Sequence, residues 1–184
     1  MSFAMQATVL LSGGIDSAAC ARFLSEKMAT DCLFVDFGQS AAGAELVAAE
    51  AIASHLSLPF DVVIVRGQND FGAGEITGRN AFLMFTAAVF KGERTNLIGC
   101  GIHAGTPYAD CSQEFVVAMN QLLDHQTDGR LKIVAPFVEW SKQDVFDYFV
   151  GTGVPPALTY SCEVGSDPSC GECASCRDRL ALGI

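Results

Sequence analysis

The sequence has few basic residues relative to its acidic ones. Its 184 residues include 11 Lys plus Arg against 21 Asp plus Glu, which gives a formal net charge of −10. Such an excess of negative charge repels long polyphosphate backbones, so the composition favours a small-molecule or protein substrate over tRNA. We expect no extended nucleic-acid surface.

Long apolar runs are also missing. No stretch of 18 uninterrupted apolar residues occurs, and the segment Met1 to Met5 contains neither a basic cluster nor a long apolar stretch. The sequence therefore predicts no membrane span and no signal peptide, and we expect a cytoplasmic protein. With 184 residues, of which 50% are hydrophobic, the chain is long enough and apolar enough to bury one substantial core.

Short apolar runs alternate with helical patterns over the first 150 residues. We expect a largely buried helix at 80–90, a glycine-rich polar loop at 66–78 and no regular structure after Gly151. The other predicted elements are strands at 7–11, 32–37, 61–65, 96–101 and 132–138, and helices at 17–27, 44–56, 112–125 and 141–150. This alternation predicts an α/β fold, a Rossmann-like parallel sheet of about five strands with helices on both faces.

A glycine-containing loop, SGGIDS at 12–17, lies between the first predicted strand and the first helix. Glycines let backbone amides turn toward a ligand there, and a helix amino end favours negative charge, so the loop predicts a pyrophosphate or phosphate site. It lacks the Lys of GxxxxGK[ST] and the GxGxxG spacing, which argues against kinase-like and nicotinamide chemistry. The simpler alternative is a glycine turn in which Asp16 or Ser17 caps the helix.

Four of the eight cysteines lie close together near the carboxyl end, with the spacing C-x₇-C-x₂-C-x₂-C. This spacing predicts a structural zinc site that anchors the tail, and its ligands are Cys162, Cys170, Cys173 and Cys176. An iron–sulfur cluster can use the same thiolates and is the alternative. The scattered cysteines are expected to be small buried apolar residues, namely Cys20, Cys32 and Cys100.

SGGIDS resembles the SGGxDS signature of the PP-loop ATP pyrophosphatases, enzymes that adenylylate a carbonyl or carboxylate oxygen and expel pyrophosphate. The resemblance implies a PP-loop ATP-binding domain at 1–151, with a Cys₄ zinc-binding tail at 152–184 packed on it. Asp16 would help to hold Mg²⁺ beside the departing pyrophosphate. The implied ATP-binding residues are Leu11, Ser12, Gly13, Gly14, Asp16 and Ser17.

The whole chain resembles the 7-cyano-7-deazaguanine synthase family, which converts 7-carboxy-7-deazaguanine to the nitrile with ATP and ammonia. The motifs that carry this resemblance are SGGIDS, Gly78-Arg79-Asn80, Tyr108-Ala109-Asp110-Cys111, Lys142 and Leu158-Thr159-Tyr160-Ser161-Cys162. It implies a deazapurine-type substrate and catalytic roles for Asp16, Lys142 and Arg79. The implied substrate-binding residues are Gln39, Arg79, Asn80, Tyr108 and Asp110.

Each implied role has a physical rationale and a simpler alternative. Asp110 would accept hydrogen bonds from the amino-pyrimidinone edge of a guanine-like base, and Lys142 or Arg79 would stabilise phosphate or carboxylate charge. The alternatives are a solvated first-turn lysine for Lys142 and a structural link to a carboxylate for Arg79. His103 is a candidate general base, although a lone loop histidine is more often exposed, and a covalent role for Cys111 stays open.

Several positions depart from the family pattern on the substrate side. Gln39-Ser40-Ala41 stands in place of Gln-Arg-His, and Tyr108-Ala109-Asp110-Cys111-Ser112 in place of Tyr-Pro-Asp-Cys-Arg. Ile102 and Ala104 replace acidic residues. These departures favour the hypothesis that a deazaguanine-type carboxylate is still adenylylated but is captured by an amine other than ammonia, for example an amine acceptor on a protein.

Two competing functions follow from the same features. One is a PP-loop tRNA-modifying enzyme that carries an iron–sulfur cluster, which the four cysteines suit and the acidic charge does not. The other is a non-catalytic nucleotide-binding module that keeps the fold and the zinc site. The resemblance and the hydrophobic composition also lead us to expect a homodimer.

Overall fold

A computed structural model describes residues 5–67, 71–72 and 74–184 of the chain. Five strands form one parallel sheet in the order β3-β2-β1-β4-β5. The strands are β1 (Gln6–Leu10), β2 (Ala29–Asp36), β3 (Phe60–Ile64), β4 (Leu97–Gly99) and β5 (Lys132–Val134). The helices are α1 (Ile15–Ser25), α2 (Ala42–His55), α3 (Arg79–Lys91), α4 (Gln113–Thr127), α5 (Lys142–Gly151) and α6 (Ala174–Ala181), with short 3₁₀ turns at Ala109–Cys111 and Pro156–Leu158.

Two hydrophobic cores cover the two faces of the sheet. Ala18 of α1, Ile52 of α2 and Phe149 of α5 are buried on one face, while Met84 of α3 and Leu123 of α4 are buried on the other. Helices on both sides bury the central strands β1 and β2, which is why their sequences read as continuous apolar runs, whereas the edge strand β3 is partly exposed. The predicted α/β architecture is therefore confirmed.

The predicted start of the fifth helix is confirmed in detail. Ser141 accepts a hydrogen bond from the Asp144 amide at 3.2 Å, and the Asp144 carboxylate accepts one from the Ser141 amide at 3.0 Å. This capping box satisfies two amides that the first helical turn cannot bond internally. It also places Lys142, the first helical residue, at the carboxyl end of the sheet.

Two predictions for the carboxyl-terminal half are wrong. The fifth strand ends at Val134 rather than 138, because Pro136 has no amide and the chain turns, with Val138 donating to Ala135 at 3.3 Å. The apolar side chains that follow pack in the core instead, and Phe137 is fully buried. Regular structure also continues past Gly151, as a 3₁₀ turn and as α6.

The helix predicted to be largely buried is half exposed. In α3, Val89 is 76% exposed and Phe90 60% exposed, and only one face of the helix meets the sheet. The glycine-rich loop predicted at 66–78 has no helix or strand in its described part, and residues 68–70 and 73 lie outside the described residues. In the part of the chain that the structure covers, no helix has the length and hydropathy needed to cross a bilayer.

A buried ion pair joins the end of α3 to the amino-terminal ends of β2 and β3. The ammonium of Lys91 lies 2.9 Å from Oδ2 of Asp31 and also pairs with Asp61. Lys91 is 7% exposed and Asp31 8% exposed. Burial lowers the pKa of Lys91, but hydrogen bonds to Asp61 and Asp31 outweigh it and raise that pKa overall.

Substitution of this lysine should be strongly destabilising. Lys91→Met leaves the buried Asp31 carboxylate without its partner, so the free energy of unfolding should fall by about 3–5 kcal/mol. The matched control is Lys132→Met, because the side chains of Lys132 and Asp124 are 41% and 46% exposed. That variant should lose no more than about 1 kcal/mol. Urea unfolding measures both, and equal losses would show that burial does not govern the pair.

Candidate active site

The carboxyl ends of β1 and β4 lie side by side, and the chain leaves them in opposite directions. β2 and β3 lie on one side of β1, and β5 lies on the far side of β4. Open α/β sheets form their ligand crevice at such a switch point. The SGGIDS loop follows β1 and the segment 100–105 follows β4, so both border this crevice. Their backbones are close, since a Cβ on Gly101 would lie 2.5 Å from the carbonyl oxygen of Asp16.

Gly13 lies where only glycine fits. Its φ is 86°, and a Cβ there would lie 2.6 Å from the carbonyl oxygen of Glu45. The Gly13 carbonyl accepts a hydrogen bond from the Tyr160 amide at 2.9 Å, so the carboxyl-terminal tail reaches the loop. Leu11, predicted to bind ATP, is 1% exposed and continues the sheet by donating to Leu33 at 2.9 Å.

The helix begins without a side-chain cap. Gly14 is the N-cap residue, and no side chain bonds the first-turn amides. The alternative in which Asp16 or Ser17 caps the helix is therefore wrong. Ser17 Oγ instead donates to the Gly14 carbonyl at 3.0 Å and accepts from the Ser12 amide at 3.2 Å. The serines brace the loop internally and leave the amides at the start of α1 directed into the crevice.

Three chemically active side chains meet beside the loop. Lys142 donates to both carboxylate oxygens of Asp16 at 2.7 Å, although the two residues are 126 positions apart. The alternative of a solvated first-turn lysine is therefore wrong for Lys142. His103 Nε2 lies 3.8 Å from Asp16 Oδ2. His103 Nδ1 accepts from the Gly105 amide at 3.0 Å, so in the neutral ring Nε2 carries the proton toward Asp16.

His103 is buried rather than exposed, contrary to the expectation for a loop histidine, with only 5% of its surface accessible. Burial lowers the pKa of His103, the Asp16 carboxylate partly opposes this shift, and the Lys142 ammonium adds to it. The ring is therefore mostly neutral near pH 7.

Asn80 and Asp110 are joined directly. The Asn80 amide nitrogen donates to Asp110 Oδ2 at 3.3 Å, and its side-chain Nδ2 donates to the Asp110 carbonyl at 3.0 Å. Asn80 is 8% exposed. Its side-chain donor also lies 3.5 Å from Cys111 Sγ, whose pKa burial raises. Asn80 thus orients Asp110, and Cys111 is a protonated thiol at neutral pH.

Arg79 and Tyr108 flank this pair and are half-buried. Among the described residues, the Arg79 guanidinium makes no hydrogen bond and lies within 4 Å of no carboxylate. It borders an apolar cavity of about 320 Å³, whose walls include Phe37, Phe71 and Phe82. A cation beside aromatic walls suits a flat anionic ligand.

Gln39 is occupied by its own neighbourhood. Its side-chain oxygen accepts from the Phe37 amide at 3.0 Å, and its nitrogen donates to Glu45 Oε2 at 2.9 Å. Burial raises the pKa of Glu45, and the hydrogen bond from Gln39 and the charge of Arg79 partly oppose this shift. Gln39 therefore shapes the turn after β2.

The four tail cysteines form one cluster. Their Sγ atoms all lie within 4.8 Å of one another, and the Cys170–Cys176 pair is 3.8 Å apart. Tetrahedral Zn–S bonds of about 2.3 Å place two sulfurs about 3.8 Å apart, so the cluster has the right size. Backbone amides donate to Cys162, Cys170 and Cys173 Sγ at 3.4 Å. Such donors stabilise thiolates and suit a metal centre.

The tail packs against the ATP-loop end of the domain. Besides the Tyr160–Gly13 bond, Gly165 lies so near the Ser40 backbone that a Cβ would approach its carbonyl oxygen to 2.3 Å. Arg179 of α6 donates to Thr159 Oγ1 at 2.7 Å. A polar cavity of about 60 Å³ opens between the tail and the start of α1.

The predicted residues fall into two groups. Asp16 and Lys142 lie together at the SGGIDS loop, while Asn80, which follows Arg79 in the chain, is bonded to Asp110. Three residues at the crevice were not predicted, namely Glu45, Ser161 and Arg179. Ser161 belongs to the motif Leu158 to Cys162, but nothing local distinguishes Arg179 in the sequence.

The parallel sheet with an SGGIDS loop at its switch point defines the class, a PP-loop ATP-binding domain. NMN synthetase from Francisella tularensis has the same fold, with a TM-score of 0.58 at 15% identity over 98% of this chain and 78% of that one. The profile of the family described as "Queuosine biosynthesis protein QueC" matches residues 6–77 and 73–182. The chain belongs to this family, and it is accordingly an ATP-dependent carbon–nitrogen ligase.

Individual relatives agree with this assignment. The chain is 30% identical to 7-cyano-7-deazaguanine synthase of Aquifex aeolicus, over 96% of both proteins. It is 31% identical to the protein of that name from Nitratiruptor sp., over 96% of this chain and 92% of the relative. The similarity therefore includes both the sheet domain and the cysteine tail.

The charges around His103 predict how its pKa responds to substitution. Lys142→Met should raise that pKa and Asp16→Asn should lower it further, while the distant Lys132→Met should leave it unchanged. Histidine Cε1–H NMR titration in magnesium-free buffer measures these shifts. An unfolded histidine titrates near pH 6.5 and the folded one lower, so this group's stability contribution is lost as pH falls below about 6.5. A rise in the Asp16→Asn variant would contradict the arrangement.

Proposed function

We propose that the protein uses Mg-ATP to adenylylate the carboxylate of a 7-carboxy-7-deazaguanine-type base and then transfers the activated carbon to an amine. The main observation in support is that the SGGIDS loop lies at the switch point of the sheet, where Asp16 pairs with Lys142. The chain also resembles 7-cyano-7-deazaguanine synthases over almost its full length. Pyrophosphate is the leaving group. Adenylylation makes the carboxylate carbon reactive toward nitrogen.

The PP-loop side would bind the triphosphate. The amides at the start of α1 face the crevice and suit phosphate oxygens, and Asp16 is the carboxylate best placed to hold Mg²⁺. Bound Mg²⁺ would neutralise charge on the departing pyrophosphate. Lys142 pairs with Asp16. It would stabilise the negative charge that develops when the carboxylate of the substrate attacks the α-phosphorus of ATP.

The Arg79 side would bind the base. Asp110 is held by Asn80 and can accept hydrogen bonds from the amino-pyrimidinone edge, which carries N–H donors. Arg79 can pair with the substrate carboxylate, and Phe37 and Phe82 offer ring faces to a flat heterocycle. In this arrangement Gln39 would position the turn after β2 and Asn80 would position Asp110, and neither would contact the base.

The departures from the family pattern lie in the substrate-side segments, which leaves the nitrogen donor to be determined by experiment. Ser40, which stands where the family pattern has a basic residue, donates a hydrogen bond to the Phe71 carbonyl at 2.6 Å. Its hydroxyl therefore bonds the chain itself. Ala104 is exposed and offers no charge. We propose ammonia as the first donor to test: one ATP gives the amide as AMP leaves the acyl adenylate, and a second ATP that activates the amide oxygen gives the nitrile as that oxygen leaves with AMP. An amine on a protein is the alternative donor. The homodimer and the cytoplasmic location stay predictions.

Purified protein should release pyrophosphate and AMP from Mg-ATP when 7-carboxy-7-deazaguanine and an amine are present. Asp16→Asn should reduce this rate at least about 100-fold, because the metal loses its carboxylate. The control is Asp147→Asn on the outer part of α5, whose carboxylate pairs only with Gln143 among the described residues. Mass spectrometry identifies the product. ATP binding without stimulated release would instead favour the non-catalytic module.

We also propose that the cysteine cluster holds one structural Zn²⁺ and that residues 152–184 form a tail whose fold depends on it. Without a cation, four thiolates within 4.8 Å of one another would repel, whereas Zn²⁺ allows all four to ionise. A closed Cys₄ site has no open position for chemistry. The tail's bonds to the Gly13 loop make its folding relevant to the ATP site.

The purified protein should contain about one zinc per chain and be colourless. Cys173→Ser should lose the metal and lower the melting temperature, whereas Cys20→Ser should keep the metal because Cys20 is buried in the sheet core. Elemental analysis and absorbance spectra check this. Iron with absorbance at about 400 nm would instead support the iron–sulfur alternative.

A further inference from the structure

Arg179 of α6 is a half-buried cation that pairs with no carboxylate in the described part of the chain. Its guanidinium donates to Thr159 Oγ1 at 2.7 Å and to the Pro156 carbonyl at 3.5 Å, and both acceptors are neutral. Among the described residues no carboxylate lies within 4 Å of it. Burial lowers the pKa of Arg179, and the charge of the Cys176 thiolate partly opposes this shift. A desolvated guanidinium with unused donors, in a chain of net charge −10, calls for an anionic ligand.

The unused side of Arg179 faces the polar cavity beside the PP loop. This cavity of about 60 Å³ is lined by Asp16 and Lys142 on the domain side and by Ser161, Asp178 and Arg179 on the tail side. Two carboxylates and two cations therefore face one another across it. The Ser161 hydroxyl makes no hydrogen bond within the described part of the chain, and it lies 3.8 Å from where a Cβ of Gly14 would be.

We propose that Arg179 and Ser161 bind the pyrophosphate part of ATP from the side opposite the SGGIDS loop, so that the tail forms the second wall of the ATP site. Guanidinium groups bind phosphate through paired N–H donors, and a free hydroxyl supplies a further donor. Asp178 also lines this wall and carries the same sign of charge as the pyrophosphate. The magnesium that accompanies ATP gives this carboxylate and Asp16 a cation to face.

The proposal accounts for the way the tail is attached. Tyr160 donates its amide to the Gly13 carbonyl, which places the adjacent Ser161 over the loop. Cys176 lies one helical turn before Arg179, so a metal at the cluster orients the helix that carries the guanidinium. The cysteine site would then act on ATP binding through Arg179, without contacting the nucleotide.

Isothermal titration of Mg-ATP, magnesium pyrophosphate and AMP tests the assignment, which rests on ATP being the ligand of the proposed function. Arg179→Gln should weaken binding of ATP and pyrophosphate about 10- to 100-fold while AMP changes no more than about twofold. Ser161→Ala should weaken ATP binding about three- to tenfold. The matched control is Arg177→Gln, an exposed arginine of the same helix that bonds the Glu172 carbonyl. It should bind all three ligands like the wild type.

A purely structural role is separated by two further measurements. Thr159→Val removes the hydroxyl that Arg179 bonds but keeps the guanidinium, so it should retain ATP affinity even if it melts earlier. Metal content per chain shows whether each variant keeps its folded tail. The proposal is overturned if Arg179→Gln weakens AMP as much as ATP, if its loss of affinity follows loss of the metal, or if it binds ATP like Arg177→Gln.

Failure of the proposed substrate gives a different pattern. If the wild type binds Mg-ATP and 7-carboxy-7-deazaguanine stimulates no pyrophosphate release, the proposed function is wrong while a selective ATP defect in Arg179→Gln still supports the second wall. If turnover occurs and Arg179→Gln matches Arg177→Gln in ATP affinity, the function stands and the Arg179 assignment is wrong.

Discussion

The crowding of backbone around the PP loop is the constraint on which the site depends. Gly13 faces the Glu45 carbonyl, Gly101 faces the Asp16 carbonyl, and the Tyr160 amide binds the Gly13 carbonyl. Segments from α2, from the end of β4 and from the tail thus meet at one short loop. A side chain at either glycine would push these segments apart, and the amides at the start of α1 would lose their common direction.

Local placement of charge overcomes the net charge of the chain at this edge of the sheet. Of only 11 basic residues, Arg66, Arg79, Lys142 and Arg179 border the crevice or the cavities beside it. Other basic residues serve the fold, as Lys91 does between Asp31 and Asp61. At physiological salt, charges beyond about 8 Å are largely screened, so nearby cations and helix amides determine whether ATP binds.

Periodicity made the sheet predictable, whereas its consequences in three dimensions were not. The five strands and their helices follow from alternating apolar runs, because parallel strands are buried on both faces. The fifth strand was predicted too long because the apolar Phe137 extends the strand pattern, whereas it packs in the core after the strand has ended. The exposure of Val89 and Phe90 depends on which face of the helix meets the sheet. SGGIDS and the cysteines were recognisable because their spacing is local. The pairing of Asp16 with Lys142 and the position of Arg179 depend on contacts between distant segments, which no local pattern encodes.

The contrast between the two sides of the crevice bears on how the reaction could have diverged. Around the SGGIDS loop, Gly13, Gly101 and the Tyr160 amide make close backbone contacts, so a side chain added at either glycine would disturb the fold as well as the loop. On the proposed base side, Asp110 is held by Asn80, Ser40 bonds the Phe71 carbonyl, and Ala104 is exposed. Substitutions at exposed positions usually change stability little. Under the proposed function, ATP activation is therefore the half of the reaction that depends more on the fold, and the choice of the attacking nitrogen is the half that changes at exposed positions would alter without unfolding the protein.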